Sequence, residues 1–102
     1  MGKSIRTPET DEFCDAILSL ESREECYRFF QDVCTVNELV SLSQRFAVAK
    51  MLTQKKTYLE IAQKTGASTA TISRVNRALV YGSDGYSMVL DRIGGQNQEQ
   101  RI

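Results

Sequence analysis

An all-α fold is predicted by three features of this sequence. Apolar residues recur at three- and four-residue spacing, most such segments open on a hydroxyl-bearing cap residue, and no stretch alternates apolar and polar residues as a half-buried strand does. The 102 residues make one domain, small for an all-helical core standing alone, so help from a second copy is expected. Residues 1–8 are polar and end in the chain's only proline, and 94–102 read Gly-Gly-Gln-Asn-Gln-Glu-Gln-Arg-Ile without apolar periodicity. Flexible ends are therefore expected to flank a folded region 9–93.

The elements follow in order. Phe13, Ile17 and Leu20 mark a first helix. Cys26, Tyr27, Phe30 and Val33 mark a second, which starts after Ser22. Thr35 and Glu38 form a capping box, the hydroxyl accepting from the third amide while the carboxylate reaches back to the cap amide. From there a long central helix runs through Leu39, Leu42, Phe46, Ala49 and Leu52. Gln54-Lys55-Lys56 breaks the period as a basic loop.

Thr57 and Glu60 repeat the capping box, so a new helix starts at Tyr58 with Ile61 and the small Ala62 facing inward. Gly66 supplies the positive φ that ends this helix and turns the chain, and Ser68 caps the next one. Ile72, Val75 and Leu79 then form an inward stripe. Two capped helices joined by a Gly66-Ala67 corner make a helix-turn-helix over about 57–80. Tyr81-Gly82-Ser83-Asp84-Gly85 is a turn-rich break, and Tyr86, Val89, Leu90 and Ile93 mark a short sixth helix.

The face of helix 68–80 left free by the stripe carries small, hydroxyl-bearing or cationic side chains: Thr69, Ala70, Thr71, Ser73, Arg74 and Arg77. A helix that is slender on this side fits the major groove of duplex DNA, where hydroxyls and methyls meet base edges and the amide dipole favours phosphate. Ser68, Thr69, Ala70, Thr71 and Ser73 are the expected base readers, and Lys55, Lys56, Lys64, Ser68 and Arg77 the expected phosphate contacts. An αα-hairpin with a solvated outer face is the structural alternative.

Charge supports the DNA reading locally. The chain is neutral overall, but residues 1–43 hold four Lys/Arg against nine Asp/Glu, whereas 44–81 hold seven against one. The basic segment is the one that contains the helix-turn-helix. With no histidine and no glycine-rich phosphate loop, an enzyme is not expected. The three cysteines, Cys14, Cys26 and Cys34, lack metal-type pairing and are read as small buried hydrophobes, so no metal is expected. Their odd number and the absence of a long apolar run point to a cytoplasmic protein without a membrane partner.

From about Asp11 to Ile93 the chain resembles the trp repressor superfamily, and within it the YerC/YecD group of trp-repressor-like proteins. The carriers are Cys34-Thr35, Leu42-Ser43-Gln44-Arg45, the run Thr65 through Leu79, and Tyr81-Gly82-Ser83-Asp84-Gly85-Tyr86. The resemblance implies a six-helix trp-repressor-like protomer, intertwined with a second copy through its first three helices and its last. In such a homodimer two reading heads lie about 34 Å apart and meet a pseudo-palindromic site. In this family tryptophan sits between the central and recognition helices, flanked by two arginines and a threonine. Thr35, Arg45 and Arg74 match those positions, but Val75 and Ala78 stand where the family carries a glycine and a serine.

A branched side chain in the ligand's space, and an ammonium left without its acceptor at about 1–3 kcal/mol, argue against tryptophan as ligand. Thr35, Arg45, Arg74, Val75 and Ala78 thus outline a candidate pocket that is filled or altered, and no cofactor is expected. Arg45 is assigned an ion-pair or pocket role, and Arg74 either that role or a phosphate contact. The leading expectation is a dimeric, sequence-specific double-stranded DNA-binding transcriptional regulator that represses. Two alternatives stay open: a helical protein-interaction module with non-specific DNA affinity, and a repressor controlled by a small ligand other than tryptophan.

Overall fold

The computed structural model describes residues 4–101, with side-chain surroundings for 4–94. Among these residues there are six helices and no strand: α1 (Pro8–Leu18), α2 (Arg23–Val33), α3 (Val36–Thr53), α4 (Tyr58–Thr65), α5 (Thr69–Tyr81) and α6 (Gly85–Arg101). They fall into two compact units, Met1–Leu39 and Val40–Ile102, with the first turn of α3 in the former and the rest in the latter.

In the first unit each helix start is held locally. The Thr7 hydroxyl accepts from the Thr10 amide at 3.1 Å and Pro8, with no amide to lose, occupies the first turn. α1 therefore begins at Pro8. Ser22 caps α2 by accepting from the Glu25 amide. At α3 the expected capping box is present: Glu38 donates its amide to Thr35 Oγ1 at 3.1 Å, and the Thr35 amide donates to Glu38 Oε1 at 2.8 Å. The Thr35 amide, and after it the Thr35 hydroxyl, favour the ionised Glu38 carboxyl and hold it below its ordinary value.

Packing in this unit is light. The Phe13 and Phe29 ring centroids are 5.9 Å apart, and Phe29 meets Phe30 edge-on at 5.5 Å. Neither α1 nor α2 has a fully buried residue, and Leu18 and Val36 are about four-fifths exposed. Two expectations are corrected here. Leu20 lies past the end of α1, its amide bonded to the Ile17 carbonyl. The cysteines are not buried: Cys14 is exposed and Cys26 and Cys34 half-buried, because the elements that carry them enclose no interior.

The second unit has a core. Val48 and Ala49 of α3, Ile61 of α4, Ala67 of the turn, and Ile72 and Val75 of α5 are each at most 5% exposed. Met51, Leu52, Ala62, Leu79, Tyr86 and Leu90 pack around them, so α6 docks on this core through its first two turns. The Phe46 and Tyr86 rings lie 6.5 Å apart beside it. α4 carries the full Thr57/Glu60 capping box and ends at Gly66, whose φ of 73° is left-handed. α5 stops at Gly82, where a Cβ would collide with the Ala78 carbonyl oxygen. The last helix was expected to be short, yet its backbone continues to Arg101. Glutamine, glutamate and arginine propagate a helix without leaving an apolar stripe to read. The expected flexible segments 1–8 and 94–102 otherwise concern residues 1–3, side chains 95–101 and residue 102, which lie outside the described residues.

Two predictions follow from the local geometry. At Gly66 a Cβ would meet only Gln44 Nε2, 4.0 Å away, so Gly66→Ala is penalised by backbone strain alone. Chemical denaturation should show a loss of about 1–2 kcal/mol, and a smaller one for Gly66→Asn. For Glu38 the folded value is the lower one, so its capping contribution is present above the unfolded value and is lost as pH falls through the folded value. An NMR titration should place the Glu38 midpoint below that of a free glutamate, and Thr35→Val should raise it.

Candidate nucleic-acid interface

The placement of α5 is set by its inner face and by three hydrogen bonds around the turn. Ile72 is fully buried and Val75 is 2% exposed, which leaves the helix one rotation about its axis. Gln44 of α3 donates through Nε2 to the Thr65 carbonyl at 3.1 Å, tying the end of α4 to α3. Thr65 Oγ1 donates to the Ile61 carbonyl at 2.7 Å and accepts the Ala67 amide at 3.1 Å, so the corner that follows is braced from within. Gln44 is a positioning residue that residue-type reasoning did not identify. It stands 21 positions from its partner, and no local spacing signals such a bond.

The expected base readers gather at the N-terminal end of α5. Ser68, Thr69 and Ala70 are exposed, Thr71 and Ser73 half-buried. The Ser68 hydroxyl accepts from the Thr71 amide at 3.1 Å and donates to Thr71 Oγ1 at 3.1 Å. That second bond uses a Thr71 lone pair and leaves its hydroxyl proton to donate outward. Arg74 and Arg77 are exposed further along the same helix.

The expected phosphate contacts separate into two groups. Ser68 caps α5 and Arg77 lies on it. Lys56 and Lys64 line a groove of about 490 Å³ together with Ala47, Lys50, Met51, Gln54 and Glu60, between the C-terminal half of α3 and α4. Lys55 sits beside it in a left-handed conformation, φ 65°, uncommon for a residue with a Cβ.

The five candidate pocket residues do not share one role. Val75 is a core residue, its side chain packed with Ile61 and Ile72. Ala78 lines an apolar groove of about 540 Å³ with Phe46, Ser83, Gly85, Tyr86 and Val89. Arg45 is half-buried and donates to Ser41 Oγ, one turn back on α3, at 3.3 Å. Arg74 is exposed. In the first unit the Thr35 hydroxyl is engaged in the α3 cap.

This arrangement has known counterparts. The family model described as "Trp repressor protein" matches residues 8–94. The chain belongs to the Trp repressor protein family. It is 57% identical over 89 residues to the protein YerC of Bacillus subtilis (strain 168), which spans 87% of this chain and 86% of that protein. Its fold superposes on a TrpR-like protein from Eubacterium eligens ATCC 27750 with a TM-score of 0.87 at 61% identity, covering 88% of this chain and 93% of that one. A Staphylococcus aureus chain matches at TM-score 0.86 and 61% identity, covering 88% and 90%. The expected resemblance and six-helix fold therefore stand. Among the described residues no helix is long and apolar enough to cross a membrane.

The left-handed Lys55 generates a test. Glycine adopts that conformation without the steric penalty, so Lys55→Gly should raise stability to denaturant by about 0.5–1 kcal/mol.

Proposed function

We propose that this chain is a sequence-specific double-stranded DNA-binding transcriptional regulator of the cytoplasm, a repressor that acts as a homodimer and performs no catalysis. The observation that carries this reading is the α5 surface. Its inner side is locked by Ile72 and Val75, and its outer side at the N-terminal end presents Ser68, Thr69, Ala70, Thr71 and Ser73, none of them bulky. Such a helix reaches base edges in a groove about 12 Å wide. Thr71, whose proton is free to donate, fits an acceptor such as guanine O6, thymine O4 or a purine N7. Ser68 and Arg77 with Lys55, Lys56 and Lys64 supply the sequence-blind phosphate contacts.

Dimerisation is supported by the first unit. Its helices are 11 residues long with no buried residue, too short to persist on local propensity, and they leave Ile5, Leu18, Tyr27, Val33 and Val36 exposed. A second copy that covers this surface gives the molecule twofold symmetry and two copies of α5 about 34 Å apart. The family's membership as regulators points the same way. Tryptophan is not the effector in this reading, since Val75 of α5 packs in the core with Ile61 and Ile72 and Ala78 offers no acceptor.

Selection from a random duplex library tests the whole reading, with a palindrome of half-sites one helical turn apart as the expected product. Sequence-blind recovery would favour a protein-interaction module instead. On the selected site Thr71→Ala should cost about 1–3 kcal/mol and relax preference at one position of each half-site, while Arg77→Gln should weaken all duplexes alike. Equal losses on selected and random DNA for Thr71→Ala contradict its role as a reader. Calorimetry with tryptophan should show no binding at micromolar concentration.

A further inference from the structure

The groove between α3 and α4 gathers cationic charge from three elements. Four of the chain's five lysines fall between positions 50 and 64. Three of them, Lys50, Lys56 and Lys64, come from α3, the connecting loop and α4 to line one concavity of about 490 Å³. Among the described residues, none of these three ammonium groups has a hydrogen-bond or ion-pair partner. The single carboxylate on the wall, Glu60, is engaged by its own helix cap, where Oε2 accepts the Thr57 amide at 3.1 Å. Three cations against one anion leave the groove at +2, with the Gln54 amide beside them and Ala47 and Met51 as an apolar floor.

Like charges gathered in one concavity repel each other, and an anion bound among them offsets that repulsion. On α4 the helical repeat puts Glu60 and Lys64 on one flank, one turn apart, while Leu59 and Gln63 lie about 100° around the axis. The groove is thus on a different flank of α4 from those residues, reached from the side of α3. Its volume is in the range of small-ligand sites.

We infer that this groove, through Lys50, Lys56 and Lys64, is a binding site for phosphoryl groups. Lys50 and Gln54 are its newly assigned members, and the inference deepens the DNA reading rather than replacing it. Phosphoryl groups reach such a site from two sources, the backbone of DNA wrapped past the reading helix or a free polyphosphorylated ligand. Ammonium groups suit either as mobile point charges, with no demand for the planar geometry of guanidinium.

The test compares the full chain with Lys50→Gln in two arms. The first follows duplex affinity against salt, the second calorimetric binding of inorganic tripolyphosphate. Lys50 is exposed on α3, and a melting curve checks that the variant folds. Arg92→Gln, which removes the same charge from exposed α6, is the control and should leave both arms at parental values. A salt slope flatter by about one unit in Lys50→Gln supports the site with DNA as its source. A roughly tenfold weaker tripolyphosphate affinity, the loss of one charge-assisted hydrogen bond, supports it with a free ligand. If neither arm differs from the parent, the site is refuted. Parental duplex selectivity that persists in that case leaves the DNA-reading proposal intact, while loss of selectivity in the parent itself would remove that proposal and not this one.

Discussion

The dry contact among Val48, Ile61, Ile72 and Val75 is the constraint on which the rest depends. A reading helix has to expose small polar side chains over several turns, and such a surface contributes almost nothing to holding the helix in place. The inner face must therefore do all of the positioning. Here α5 presents a narrow stripe to the core, and two of its members, Ile72 and Val75, are essentially without solvent contact. Replacing Ile61 or Ile72 by alanine would cost about 2–5 kcal/mol, a large share of the stability of a domain this size. The corner at Gly66 converts that contact into direction, because a left-handed residue there reverses the chain within two residues. Gln44 and Thr65 then brace the corner by polar bonds that do not compete with the apolar contact.

The same division of labour runs through the charge. The segment that carries the core and the reading helix is strongly basic, and the segment that precedes it is strongly acidic. In the proposed complex, cations grouped in the segment of the reading helix would steer approach of a duplex and supply sequence-independent affinity, while the acidic segment keeps the chain neutral overall. The first unit supplies apolar surface without an interior of its own, so its stability has to come from elsewhere, and in the proposed dimer it comes from a second copy.

What the sequence made legible is what is local. The capping boxes at Thr35/Glu38 and Thr57/Glu60, the Ser22 and Ser68 caps and the Gly66 corner are each written within four residues, and the hydrogen bonds appear where those spacings put them. The inward stripe of α5 is equally local, since a helix of known start has a known face. Thr7-Pro8 is a start signal of the same kind, masked by the polar residues around it, which look like the close of a tail rather than the first turn of α1. Other features were not legible, for reasons of distance. The Gln44–Thr65 bond joins positions far apart in the chain, and the groove that unites Lys50 with Lys56 and Lys64 exists only once α4 folds back on α3. Arg45 donates to Ser41 on its own helix, a contact that its residue type alone does not single out. The cysteines, read as core residues from type alone, sit on elements with no core to receive them.

The central claim is that the outer face of α5 enters the major groove. Groove-selective competition on a bound duplex tests it most directly, using methyl green for the major groove and distamycin for the minor. The account predicts displacement by methyl green at concentrations where distamycin has no effect, together with loss of binding when contacted guanines are methylated at N7. Displacement by distamycin alone, with N7 methylation tolerated throughout the site, would contradict it.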